Sequence, residues 1–131
     1  MELRRQLLNS FNYYKSMNTH TIDATNRPLG RLASEVAALL NAKNSVNFVK
    51  HRVAEVTVKV TNAGKIKVTG KKMMESVHKN YSGYPGGLKQ TPLVHVVAQK
   101  GYTELLRHAI NGMLPKNKLQ TIRMKNLVIE E

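Results

Sequence analysis

His20-Thr21-Ile22-Asp23-Ala24-Thr25-Asn26-Arg27-Pro28 runs directly into Leu29-Gly30-Arg31-Leu32-Ala33-Ser34-Glu35-Val36-Ala37-Ala38-Leu39-Leu40, and this stretch decides the fold. The β-branched pair Thr21 and Ile22 predicts a short strand over residues 20–24. Thr25 and Asn26 supply a helix cap, and Pro28 suits an early helical position. From Leu29 onward, Leu32, Ala33, Val36, Ala37 and Leu40 follow helical spacing without a gap. That apolar stripe must pack on something, and a sheet is the natural surface. Arg27 and Arg31 lie four apart and share another face. Asp23, at the strand's end, is read as a cap for the next turn. Glu35 is read as the partner of Arg31 one turn earlier, a contact worth about 0.2–0.5 kcal/mol.

Working outward, residues 55–61 alternate, with Val56, Val58 and Val60 on one face and Thr57, Lys59 and Thr61 on the other. Asn62-Ala63-Gly64 is a turn, and Ile66 and Val68 start a short extended piece. Residues 77–81 and 88–91 flank a glycine loop and form a ribbon. Residues 92–99 read as a short helix, begun by Pro92 and ended by Gly101. Leu105, Leu106, Ala109, Ile110 and Met113 mark a second clear helix, with Gly112 and Pro115 at its end. Residues 116–125 make a more basic helix, and residues 127–129 a last strand. Strand-helix-strand at the start implies a right-handed parallel crossover. The expectation is an α/β fold with helices covering a small, mostly parallel sheet. Residues 19–131 form one domain, preceded by an arm over residues 1–18 in which Leu3, Leu7 and Leu8 give only weak helical spacing. An organellar transit peptide is the alternative for that arm, and Met17 is a second candidate start.

Tyr81-Ser82-Gly83-Tyr84-Pro85-Gly86-Gly87-Leu88-Lys89 is the stretch most suggestive of function. Pro85 at the second position of a turn and Gly86 at the third suit type II geometry, where the third residue has positive φ. Gly87 adds a point where backbone can approach another surface. Tyr81 and Tyr84 offer flat faces and hydroxyls, either to a ligand or, for one of them, to the loop's own packing. Tyr84 opens the turn and is expected to be the more exposed.

Charge points to the partner. The 131 residues carry 21 Lys and Arg against 8 Asp and Glu, a formal net charge of +13. Such an excess repels itself and is normally tolerated because a polyanion neutralises it. No apolar stretch approaches the twenty or so residues of a membrane helix, so nucleic acid leads over lipid. No acid lies between Glu75 and Glu104, or between Glu104 and Glu130. Those windows hold Lys79, Lys89, Lys100, Arg107, Lys116, Lys118, Arg123 and Lys125. Further clusters are Lys43, Lys50, His51 and Arg52, then Lys65, Lys67, Lys71 and Lys72. Each alone reads as a solvated face, but together they favour a polyanion surface. His78, beside Lys79, joins His51 as a candidate phosphate contact, weighed against simple exposure.

No catalytic constellation emerges. Thr69-Gly70-Lys71-Lys72 resembles the end of a P-loop, but Gly64 and Gly70 have five residues between them and Lys72 replaces the hydroxyl. No convincing helix follows in the sequence to receive a phosphate. The absence of cysteine removes disulfides and thiolate metal sites, and the five histidines show no metal spacing. Ser82 is not the centre of a Gly-x-Ser-x-Gly elbow. No enzyme activity, cofactor, metal or small-molecule substrate is expected.

Asp23-Ala24-Thr25-Asn26-Arg27-Pro28-Leu29-Gly30-Arg31-Leu32-Ala33-Ser34 closely resembles the opening signature of the L-thirteen family of large-subunit ribosomal proteins. Thr69-Gly70-Lys71-Lys72, the Ser82 to Lys89 loop and Gly112-Met113-Leu114-Pro115-Lys116-Asn117 resemble its later motifs, in order and at similar spacing. The bacterial form is the nearer match. The resemblance implies a three-layer α/β/α fold that binds large-subunit ribosomal RNA, helps early subunit assembly and sits on the solvent side beside other ribosomal proteins. It implies no enzymatic activity. The RNA-facing role passes by resemblance to Arg27, Arg31, His51, Lys71, Lys72, Tyr84, Gly86, Gly87, Lys89 and Lys116. The charge clusters add Lys43, Lys50, Arg52, His78, Lys79, Lys118, Arg123 and Lys125.

The sequence departs from the family before Ile22, where Thr19, His20 and Thr21 replace aromatic residues. It departs again around His51, where Lys50 stands in place of a proline and Arg52-Val53-Ala54 in place of acidic and glycine residues. The expected location is the cytoplasmic ribosome, with an organellar ribosome as the alternative. Two rival functions are a free-standing nucleic-acid-binding regulator using residues 116–125 and a nucleotide-dependent enzyme using residues 69–72. The imperfect P-loop argues against the enzyme.

Overall fold

The computed structural model describes residues 18–131. The expected arm therefore lies almost wholly outside the described residues. Strand β1 (Thr19–Asp23) leads into helix α1 (Leu29–Leu40), then strand β2 (Thr57–Thr61). A 3-10 turn (Ala63–Lys65) and helix α2 (Gly70–Glu75) precede a ribbon of β3 (Val77–Tyr81) and β4 (Leu88–Pro92). Helices α3 (Leu93–Met113) and α4 (Leu119–Lys125) lead to the last strand, β5 (Leu127–Ile129).

The main sheet has the order β1-β2-β5 and is parallel throughout, with Ile22 opposite Val60 and Val58 opposite Leu127. The α/β class and the small parallel sheet are those expected from the sequence. Both crossovers step the same way across the sheet. Right-handed connections then deliver α1 and α3 to the same side. The burial pattern agrees. Ile22, Val58, Val60 and Leu127 are buried in one cluster with Leu32, Val36, Leu93, Leu106 and Ile110. The opposite side carries Thr21, Lys59 and Val128, all at least partly exposed. Removing one Leu, Ile or Val side chain from water is worth about 1.5–3 kcal/mol, so this one-sided cluster supplies the main stabilisation.

Local details correct several sequence expectations. Thr25 and Asn26 do not cap α1; Pro28 itself holds the N-cap position, without a side-chain bond. The Leu29 amide is satisfied instead by the carbonyl of Lys67, 3.3 Å away, across a short parallel bridge between Pro28 and Lys67. Residue 67 thus belongs to the extended piece expected after the turn. Asp23 does cap the turn: its Oδ1 accepts bonds from Thr25 N (3.1 Å), Thr25 Oγ1 (2.7 Å) and Asn62 Nδ2 (3.0 Å). Those bonds, led by Asn62, hold its carboxyl at a pKa of about 2. Glu35 pairs with Arg27 at 2.6 Å, not with Arg31.

Helix α2 is a further correction, since the sequence offered no convincing helix after Thr69. It begins at Gly70, and the Met73 amide bonds to the Thr69 carbonyl at 3.2 Å. It buries no residue fully, so its sequence lacks the stripe that makes a helix legible. Helix α3 is broken at Gly101, which adopts φ 75° and ψ −179°. The two helices read before and after Gly101 are therefore both present, abutting at a glycine kink.

Candidate nucleic-acid interface

The residues singled out from the sequence assemble into two groups. The first is tied together by the bridge at Pro28 and by the ribbon. Lys67 N donates to Arg27 O at 3.0 Å, so the start of α1 lies beside the segment that leads into α2. Lys71 and Lys72 are exposed on α2. The Leu93 amide bonds to the Ser76 carbonyl at 3.0 Å, which brings the start of α3 against the end of α2. The ribbon then projects Lys79, Lys89 and the glycine loop, all exposed except the half-buried Gly87. Arg27 is half-buried and already paired with Glu35, whereas Arg31 is exposed.

The loop has the geometry that its composition predicts. Gly87 N donates to Tyr84 O at 3.0 Å, and Gly86 has φ 73°, which is a turn of type II shape around Pro85 and Gly86. Gly87 cannot be replaced freely, because a Cβ there would run into the Ser82 side chain and the Tyr84 carbonyl. Tyr84 is 75% exposed and Tyr81 62%, so neither packs inward. Val77 and Leu88, outside the residues expected from the sequence to form a site, are also exposed, at 38% and 52%. Strand alternation was the signal that could have found them.

The second group is the segment between α1 and β2 together with α4. Lys43, Lys50, His51 and Arg52 are all exposed there, as are Lys118 and Lys125 on and before α4. Lys116 is exposed in the turn that follows α3. Arg123 differs from its expected place. It is 3% exposed, and its Nη2 donates to the Lys50 carbonyl at 3.4 Å, while Nε is buried without a partner. Leu119 and Arg123 lie four apart on the inward stripe of α4, which the basic composition of that helix concealed. Arg123 therefore links α4 to the Lys50 segment and is turned inward rather than toward solvent.

His78 also has a structural partner. Its ring stacks on His108 of α3, with centroids 3.9 Å apart and an interplanar angle of 21°. Desolvation lowers the His78 pKa first, and the neighbouring His108 lowers it further, against an opposing pull from Glu104. The folded ribbon therefore holds His78 neutral more strongly than the unfolded chain does. Its contribution to stability is present above the ordinary value of 6.5 and is lost as pH falls through the window below it. Amide exchange of Asn80 and Lys89, which face each other as a hydrogen-bonded pair of the ribbon, should accelerate as pH drops below that value, after correction for intrinsic rates. The acceleration should vanish in His78→Asn. An acceleration that persists in the variant would place the titrating group elsewhere.

Among the described residues, no cluster of three or more His, Cys, Asp or Glu could hold a metal ion. No described helix is long and apolar enough to cross a membrane. The pattern of the family described as Ribosomal protein L13 matches residues 17–129. The chain belongs to that family. It is 44% identical over 110 residues to large ribosomal subunit protein uL13 of Natranaerobius thermophilus, covering 84% of this chain and 76% of that one. It is 43% identical over 108 residues to the uL13 of Thermus thermophilus, covering 82% and 76%. The bacterial L13 type seen in the motifs is thus shown across most of the chain. As an L13 member the chain is a structural, non-enzymatic component of the ribosome.

Proposed function

We propose that this chain binds large-subunit ribosomal RNA and supports early assembly of that subunit in the cytoplasm. The observation that carries the reading is the pair of exposed, acid-poor basic groups in a chain of net charge +13. One group joins Arg31, Lys71, Lys72, Lys79 and Lys89 with the Tyr84 to Gly87 turn. The other joins Lys43, Lys50, His51, Arg52, Lys118 and Lys125, with Lys116 following α3. Cations at separated points on one small domain suit a folded RNA, whose phosphates approach from several directions. Neighbouring large-subunit proteins are the further partners. Residues 19–131 act as the RNA-binding domain in this reading, and residues 1–18 as an arm before it.

The test is co-sedimentation with large ribosomal subunits, paired with competition between folded large-subunit RNA and duplex DNA. The protein should sediment with the subunit and its early precursors, and folded RNA should displace it better than duplex DNA. Preference for duplex DNA, without co-sedimentation, would instead mark a free-standing regulator.

A further inference from the structure

The β3–β4 ribbon stands apart from the main sheet, and its two faces differ in what covers them. Cross-strand partners share a face. His78 and Thr91 lie on one side with Asn80 and Lys89; Lys79 and Gln90 lie on the other with Tyr81 and Leu88. The first side packs toward α3 through the stack of His78 on His108. The second side therefore faces away from α3. It presents Tyr81 and Leu88 as directly opposed neighbours, both more than half exposed, with Val77 and Lys79 further along the same strand.

We infer that this outer face receives the base of an unpaired nucleotide, stacked on Tyr81 and Leu88 with its phosphate near Lys79. The inference rests on the RNA-binding reading and narrows it to one class of RNA element. Charge selects the occupant. Residues 76–103 contain no acid, while Lys79 and Lys89 lie on the ribbon and Lys71 and Lys72 on the helix before it. An anionic ligand with a flat apolar face is what such a surface complements. A duplex offers only base edges in its grooves, whereas a bulge, loop or end exposes the π-face itself. An opposed Tyr–Leu pair spans roughly 5 Å between Cβ atoms, and Lys79 sits roughly 7 Å along the strand from Tyr81. One nucleotide can touch all three.

The test uses the full chain and the large-subunit RNA fragment that it protects, with 2-aminopurine placed in turn at the fragment's unpaired positions. Binding should change the fluorescence at one of them. Filling in that unpaired position to make a continuous duplex should weaken binding of the unaltered protein by roughly tenfold, as loss of one base–aromatic stack predicts. Tyr81→Ala should weaken binding to the original fragment similarly and abolish the fluorescence change. Tyr81→Phe should keep both. The inference is overturned if no position responds, or if the paired fragment binds as well as the original. Equal binding by a folded Tyr81→Ala protein would overturn it too, while leaving general RNA binding intact. Failure of the unaltered protein to bind the RNA at all would overturn both readings.

Discussion

RNA affinity is expected to fall by about a thousandfold or more as salt rises from 50 to 200 mM. The size follows from counterion release: each neutralised phosphate contributes about one power of salt concentration. Six or so contacts suffice for the drop. The exposed lysines on α2 and the ribbon, together with Lys50 and Arg52, can supply that many. Fluorescence anisotropy across a salt series measures the slope directly. Lys71→Gln should lower it by about one, because that side chain is exposed. Arg123→Gln should leave the slope unchanged, because Arg123 is 3% exposed and its guanidinium is turned toward the Lys50 carbonyl. A nearly flat salt dependence would remove phosphate contact as the basis of binding. A slope that falls with Arg123→Gln would show that this arginine reaches the RNA.

Leu106→Ala is expected to destabilise the protein by about 2–5 kcal/mol, lowering the melting temperature on the order of 10 °C or more. Leu106 is 0% exposed in α3, within the cluster that joins α1, α3 and the sheet. Truncation there leaves a cavity that helices held by two crossovers cannot readily close. Val128→Ala provides the contrast. It lies on the opposite side of the sheet and is 42% exposed, so its loss should stay near about 1 kcal/mol or below. Denaturant titration of both variants measures the difference. Comparable losses would mean that the two sides of the sheet are equally packed, against the one-sided burial seen among the described residues.

The sequence of residues 20–40 was sufficient to read the first strand and helix, because period and composition agree there, although the cap of that helix comes from Lys67. The alternation of Val56, Val58 and Val60, the stripe around Leu105 to Met113, and the Pro85-Gly86 turn were legible for the same reason. Each is a local preference that the tertiary structure endorses. Helix α2 was not legible, since it buries nothing fully and leaves no apolar period to read. The pairing of Glu35 with Arg27 was not legible either, since Arg27 lies before the helix and outside its regular spacing.

The candidate interface divides along the same line. Net charge, the acid-free windows and the turn chemistry are properties of the chain itself, so a polyanion partner could be read without coordinates. Which basic residues face outward could not. Arg123 and Lys125 are two apart in one basic helix, yet only the second is exposed, because the helical period turns Arg123 inward beside Leu119. His78 sits in an exposed-looking strand, yet the ribbon lays it on His108, thirty residues away in sequence. Sequence alone determined what each segment prefers and what the whole chain attracts. Tertiary structure decided the face that each side chain occupies, because right-handed crossovers and strand register, unlike local propensity, join residues far apart along the chain.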